Sequence, residues 1–395
     1  MNNVIKYYVL KNFLGGANLF SKFKGFMFLA FVLVGVGLLL AGCSGNQQKS
    51  SSSTIKVAVV GPMTGSQAKY GEDWKNSAIL AIDEINAKGG IKGKKLEAVI
   101  FDDAADPKQA VSVAQKIVSD PSIVAVIGHV NSGCSIPASK IYAQANIPML
   151  TVSTNPELTQ QGLKNIFRVA PTDNVQGSFA ADFLFKKGYK NIAILQDKSA
   201  YGQGVATEFK NSFEKLGGKV LAFEGVSEDQ KDFSAILTKF KTLKPDAIYF
   251  GGYYPEGALI TKQMRDLGMK MPLVGPDGLY DPQFLKIAGA AANGDIVTNI
   301  GLNIETNPNA KDFLTAYKAK YGEPGAYGIF AYEAVKILAA ALEKDPNAKG
   351  EALIKLLDET NYNGVLGKTT FAPNGDTTNK VITVYEVKDG KFVEI

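Results

Sequence analysis

Residues 123–158 read IVAVIGHVNSGCSIPASKIYAQANIPMLTVSTNPEL. The runs at 123–127 and 147–152 are short, apolar and bounded by turn residues, the pattern of strands buried on both faces of a parallel sheet. Small hydroxyl and amide residues follow each run, just ahead of a helical pattern: Asn131-Ser132-Gly133 in one case, Ser153-Thr154-Asn155 in the other. Adjacent parallel strands place both clusters at one sheet edge. Two helix N-termini there offer free N–H groups and positive partial charge, so the stretch predicts a site for one small anion, such as a carboxylate. One such cluster alone reads as an ordinary N-cap; two at neighbouring strand ends raise the expectation of a site.

The same alternation runs outward in both directions. Strands are predicted at 55–60, 96–101 and 166–169, with a Gly-rich loop at 61–65 and a helix opened by Pro107. The cycle restarts after Pro171-Thr172-Asp173, with strands at 192–195, 220–223, 247–250, 273–274 and 296–297. After Gly301 come three helical patterns (310–321, 326–343, 351–360), then an antiparallel hairpin around Asp389-Gly390. This is an α/β chain with two doubly wound parallel-sheet lobes. Helices without a sheet of their own must pack on an earlier one. The chain is therefore expected to cross between lobes near residues 172, 301 and 378, a three-crossover hinge. Lobe 1 takes 55–172 and 301–378; lobe 2 takes 173–300 and 379–395.

The 395 residues carry 43 basic and 38 acidic side chains. Residues 1–42 contain Lys6, Lys11, Lys22 and Lys24 and no acid, so the remainder holds 39 bases against 38 acids, which is no footprint for nucleic acid. Lys22 and Lys24 precede an apolar run that ends Leu40-Ala41-Gly42-Cys43, the layout of an export signal. Its end resembles the bacterial lipobox, which implies a signal peptide at 1–42 and a lipid on Cys43. Residues 43–54 then read as a flexible tether, and the functional part lies outside the cytoplasm. With Cys43 lipidated, Cys134 has no disulfide partner and is expected as a small buried residue.

Catalytic chemistry finds little material. His129 is the one histidine, expected as a hydrogen-bonded imidazole in a turn, and there is no Cys/His cluster for zinc. Residues 363–369 (NGVLGKT) hint at a phosphate loop, but Tyr362 stands where its first glycine is required. Asp102-Asp103 follow a predicted strand and are expected to cap or face solvent. No catalytic residue, metal or cofactor is expected.

Seven segments agree in order and spacing with one family: KVAVVG (56–61), INAKGGIKG (85–93), DDAADPKQA (102–110), VIGH (126–129), DKSAYGQG (197–204), GGY (251–253) and GPDG (275–278). From Ile55 to the end the chain resembles the leucine/isoleucine/valine-binding proteins, the amino-acid branch of the type I periplasmic binding proteins that feed ATP-driven importers. The resemblance implies that the ligand's α-carboxylate is held by Ser132, by backbone groups of Ser153 and by Thr154. It implies Asp277 on the α-ammonium with Tyr253 nearby, and Tyr70, Tyr201 and Tyr327 around the side chain. A zwitterion buried between lobes needs fixed partners for both charges, because an unpaired buried charge is costly. Tyrosines give an aliphatic side chain apolar ring faces.

The sequence departs from the family in three places. The second hydroxyl cluster is one residue shorter, Asp277 replaces the usual glutamate, and the family's disulfide positions hold Ala105 and Asn131. The expected function is a lipid-anchored, extracytoplasmic, monomeric substrate-binding component. Its ligand is an aliphatic amino acid, a branched-chain one first, and its partners are membrane permease and ATPase subunits. A sensory receptor subunit binding an amino acid, amide or related solute is the alternative.

Overall fold

In a computed structural model, residues 54–395 are described. The leader, Cys43 and the tether up to residue 53 lie outside the described residues.

Strands β1 (Ile55–Gly61), β2 (Leu96–Asp102), β3 (Ile123–Ile127), β4 (Met149–Thr151) and β5 (Ile166–Arg168) form an all-parallel sheet in the order β2-β1-β3-β4-β5. Strands β6 (Asn191–Gln196), β7 (Lys219–Gly225), β8 (Ala247–Gly251), β9 (Leu273–Gly275) and β10 (Ile296–Ile300) repeat that order as β7-β6-β8-β9-β10. A separate ribbon pairs β11 (Tyr362–Gly364) with β12 (Gly367–Thr369), and it contains the glycine-lysine-threonine run that hinted at a phosphate loop. The second sheet is completed by β13 (Ile382–Lys388), antiparallel to β10, and β14 (Lys391–Glu394). The β13–β14 turn uses Asp389 and Gly390, both left-handed at φ 49° and 71°, the geometry that an Asp-Gly hairpin favours.

Crossover helices cover both sheets: α1 (Ala68–Ala87), α2 (Pro107–Val118), α3 (Ser132–Gln144) and the single turn α4 (Glu157–Gln160) on the first, α5 (Asp173–Lys186), α6 (Ala200–Lys215), α7 (Ser234–Leu243), α8 (Tyr254–Asp266) and α9 (Pro282–Ala288) on the second. Then come α10 (Lys311–Tyr321), α11 (Gly328–Lys344) and α12 (Glu351–Asp358). Helix α11 packs along α1 and touches β3 and β4, so these late helices return to the first sheet. The chain passes between sheets three times: from β5 into α5, from β10 into α10, and from β12 into β13.

Why this fold builds a site follows from strand order. In each sheet the winding reverses at the first strand, β1 or β6, and the loops at the carboxyl ends there diverge to leave a crevice. The runs that form β3 and β8 are buried at every position, so only their terminal loops are free to carry function. Buried tyrosines 70, 201, 253 and 327 belong to the largest apolar cluster, which takes in both β1 and β8 and so joins the two lobes.

Candidate functional site

Each candidate residue lies at or just beyond a strand's carboxyl end or a helix start. Ser132 follows β3, Thr154 follows β4, Tyr201 follows β6, Tyr253 follows β8 and Asp277 follows β9.

On the second lobe Asp277 is the hub. It is 1% exposed, and its Oδ1 accepts from the Tyr201 hydroxyl at 2.7 Å while Oδ2 accepts from Tyr327 at 2.8 Å. Burial pushes its pKa up, and the two tyrosine hydrogen bonds pull the other way without cancelling it. The Tyr201 hydroxyl also accepts the Gly278 N–H at 2.9 Å, and Tyr70 donates to the Gly278 carbonyl at 2.5 Å across the lobes. Gly278 must be a glycine, since a Cβ there would overlap the Gly252 carbonyl. The rings close around this hub: Tyr70 lies 4.9 Å from Tyr327 and 6.1 Å from Tyr253, and Tyr201 lies 5.0 Å from Tyr253, centroid to centroid. Five candidates are thus one buried cluster.

On the first lobe the arrangement differs in part from the sequence expectation. Asn131 caps α3 through its backbone only; its amide donates instead to Gln67 at 2.6 Å. The first N–H groups of α3 therefore carry no side-chain cap, and Ser132 sits among them. The second cluster does not open a comparable helix, because α4 is one turn starting from Pro156, so the expected pair of helix N-termini is one helix and one loop. The Ser153 hydroxyl is turned inward, 2.6 Å from Ser135 and 2.9 Å from the Val130 carbonyl, and both backbone groups of that residue are also engaged, the N–H with Thr151 Oγ1 and the carbonyl with Arg168. The loop is tied to α3 by the Asn155 N–H donating to the Ser132 hydroxyl, and to the other lobe by Asn155 Nδ2 donating to the Ala200 carbonyl at 2.5 Å.

Sequence reading missed Asp173, the first residue of α5. It is fully buried, and burial together with the nearby Asp277 charge pushes its pKa up to about 8 against the pull of the Thr154 hydroxyl. Gly204 of α6 lets this region close, since a Cβ there would stand 2.7 Å from Asn155 Nδ2 and 3.3 Å from Asp173 Oδ2. The signal for Asp173 was its position at the first passage between sheets; its burial left no mark in the sequence.

A cavity of 470 Å³ opens beside Tyr253 between the lobes, walled by Gln67, Asn131 and Gly133 on one side and Ala200 and Glu256 on the other. A larger cavity of 620 Å³ lies away from the strand ends under the β11–β12 ribbon, where Glu333 accepts the Val365 N–H and so anchors the ribbon. Size does not select the site; converging charges and strand ends do.

The remaining polar candidates are structural. His129 Nδ1 lies 2.6 Å from Asp103 and Nε2 lies 3.0 Å from the Tyr142 hydroxyl, all buried. Asp102 accepts from the Met63, Thr64 and Ala104 N–H groups and so braces the Gly-rich loop. Cys134 is free and buried, and burial pushes its thiol pKa up. In a soluble form starting at Ser44, the native protein is expected to react negligibly with a thiol reagent until it unfolds. Cys134→Ala should keep ligand affinity within about threefold by calorimetry, because a buried protonated thiol packs as a small apolar group.

Comparison with known proteins bears on the family and the fold. The profile of the periplasmic binding protein family matches residues 54–391. The leucine-, isoleucine-, valine-, threonine- and alanine-binding protein of Pseudomonas aeruginosa is 41% identical over 350 residues, which cover 87% of this chain and 93% of that protein. The leucine-specific-binding protein of Salmonella typhimurium is 40% identical over 332 residues, covering 83% and 89%. Among solved structures, the branched-chain amino acid transporter substrate-binding protein of Streptococcus pneumoniae, in complex with isoleucine, superposes with a TM-score of 0.79. It is 32% identical and covers 87% of this chain and 100% of its own. A leucine-binding protein from Thermotoga maritima gives a TM-score of 0.81 at 32% identity, covering 87% and 98%.

Proposed function

The chain belongs to the periplasmic binding protein family, and on that premise we propose that it is the extracytoplasmic substrate-binding component of an ATP-driven importer, capturing an aliphatic, branched-chain amino acid between its lobes. One observation carries the reading. A buried carboxylate held by two tyrosine hydroxyls lies in one aromatic cluster at the strand ends of the second sheet, and the first sheet offers at its strand ends a helix N-terminus with no side-chain cap.

In this reading Ser132 and Thr154 take the α-carboxylate, helped by the N-terminal charge of α3, while the Ser153 backbone expected there is engaged with Thr151 and Arg168. Asp277 takes the ammonium with Tyr253 beside it, and Asp173 adds a second negative charge. Rings of Tyr70, Tyr201 and Tyr327 cover the aliphatic side chain. Ligand resting on the first lobe gains Asp277 and Tyr253 only when the lobes meet, so its differential affinity favours the closed state. The closed, monomeric protein then docks on a membrane permease driven by an ATPase. A lipid on Cys43, with residues 44–54 as tether, keeps the protein within about 40 Å of the membrane.

A melting-temperature screen over the common amino acids tests the ligand class. Saturation at about 100 times Kd adds ~2.7 kcal/mol of stability by mass action. Leucine, isoleucine and valine are expected to give the largest shifts, confirmed by calorimetry. A screen in which only acidic, aromatic or non-amino-acid solutes shift the transition would overturn the assignment.

A further inference from the structure

The three carbonyls of the Ser153-Thr154-Asn155 loop all accept hydrogen bonds within the protein, and one side chain accounts for two of them. Arg168, the last residue of β5, is fully buried. Its Nη1 donates to the Ser153 carbonyl at 2.6 Å and to the Asn155 carbonyl at 2.9 Å. Its Nη2 donates to the Thr159 hydroxyl at 2.8 Å, and its Nε to Asp376 Oδ1 at 2.8 Å. The third carbonyl, that of Thr154, accepts the Asp173 N–H at 2.9 Å. With the carbonyls engaged, the loop's N–H groups are what remain. The Ser153 N–H goes to Thr151 Oγ1 and the Asn155 N–H to Ser132 Oγ, while the Thr154 N–H has no acceptor among the described residues.

The same arginine fastens this loop to the third passage between sheets. Its backbone N–H donates to the Gly375 carbonyl at 2.8 Å and its carbonyl accepts the Thr377 N–H at 3.0 Å, so residues 375–377 are bonded to Arg168 by main chain and side chain together. Gly375 is left-handed at φ 85°, and a Cβ there would overlap the Ile166 carbonyl, which fixes how closely the crossover lies on β5.

We propose that Arg168 is a positioning residue for carboxylate recognition. It holds the 153–155 loop so that the Thr154 N–H is left for the ligand, supplies a positive charge behind that loop, and joins the loop to the third passage between sheets at Asp376. This rests on the amino-acid-binding reading above. A guanidinium is required because its planar fork reaches two carbonyls, a hydroxyl and a carboxylate at once, which a lysine ammonium cannot span. The charge matters as well as the shape: a carboxylate ligand gains from a cation behind the loop, whereas a neutral amide of the same amino acid does not.

That difference gives a measurement that general loosening of the fold does not move. Binding of leucine and of leucinamide is compared by calorimetry, with competition used for the weaker ligand. The wild-type protein is expected to favour leucine by at least about 100-fold. In Arg168→Gln and Arg168→Lys the leucine Kd is expected to rise at least tenfold with little change for leucinamide, so the preference shrinks by tenfold or more. The conservative Lys variant should recover little of it. Asp376→Asn keeps an acceptor for Nε and leaves the loop carbonyls held, so its preference should stay within threefold of wild type. If both ligands weaken equally in the Arg168 variants, the residue is a plain structural rivet and the proposal is overturned. If the Arg168 variants do not fold, Thr159→Val, which removes one anchor of the same guanidinium, should still reduce the preference about threefold; an unchanged preference there overturns the proposal too. Failure of the wild-type protein to bind leucine is a different outcome, which overturns the ligand assignment instead.

Discussion

Replacing Asp277 with alanine is expected to raise the Kd for a branched-chain amino acid by about 30- to 4,000-fold. That range follows from the ~2–5 kcal/mol lost when one member of a buried, hydrogen-bonded charge pair is truncated, at about 1.4 kcal/mol per factor of ten. The site makes the upper part of the range the better expectation, because Asp277 is 1% exposed and no water can replace its charge for the ammonium. Two of its lone pairs already accept from Tyr201 and Tyr327, so the oxygens are fixed in direction before the ligand arrives. Asp277→Asn separates charge from shape: it keeps the volume and an acceptor for one tyrosine, yet should lose nearly as much affinity as alanine. Tyr327→Phe removes one orienting hydrogen bond and should cost about tenfold. Acid adds an independent check. Burial raises the Asp277 pKa, and only the ionised form can pair with an ammonium, so affinity should fall as pH drops through that raised value. The asparagine variant should lose this dependence. An Asn variant that binds within threefold of wild type would falsify the ammonium role.

Much of the fold could be read directly because its strands are unbroken apolar runs. β3 and β8 are buried at every residue, and such runs have few other uses in a globular chain. The strand-end positions of Ser132, Tyr201, Tyr253 and Asp277 followed from that reading. What could not be read was the fate of individual charges. Neither Arg168, at the end of a predicted strand, nor Asp173 shows its burial in the sequence, because burial of a charge depends on contacts contributed from elsewhere, for Arg168 from Asp376 and from the Ser153-Thr154-Asn155 loop, 208 and 13 to 15 residues away. The expectation of two helix N-termini failed for a local reason: after Pro156 the helical pattern lasts one turn and ends ahead of Gly162, left-handed at φ 73°. The hydroxyl of Ser153 could point either way on sequence grounds, and Ser135 with the Val130 carbonyl draws it inward.

Asp173→Asn is expected to move stability and affinity in opposite directions. Asp173 is a buried carboxylate, and burial together with Asp277 raises its pKa from 3.8 to about 8. The folded state therefore holds a proton that the unfolded chain has released, over the window from about pH 4 to about pH 8. Since stability changes with pH as the unfolded-minus-folded proton count, this group makes the empty protein less stable as pH rises through that window. Asparagine has no charge to bury, so Asp173→Asn should melt higher than wild type at pH 8, by about 1–2 °C for each ~1 kcal/mol relieved in a chain of this size, and the gap should close toward pH 4. Asp197, Asp281, Asp295 and Glu333, each pushed up to about 7 by burial, keep a residual slope in both proteins. Ligand reverses the sign. An ammonium placed between Asp173 and Asp277 favours the ionised form, so amino-acid binding near pH 7 should release part of a proton per ligand. Calorimetry in two buffers of different ionisation enthalpy measures that release directly. Asp173→Asn should abolish most of it and weaken binding at least tenfold. If the variant binds normally with unchanged proton release, Asp173 is a buried structural acid and Asp277 carries the ammonium alone. If release disappears with affinity, the ionised Asp173 carboxylate shares the ammonium with Asp277.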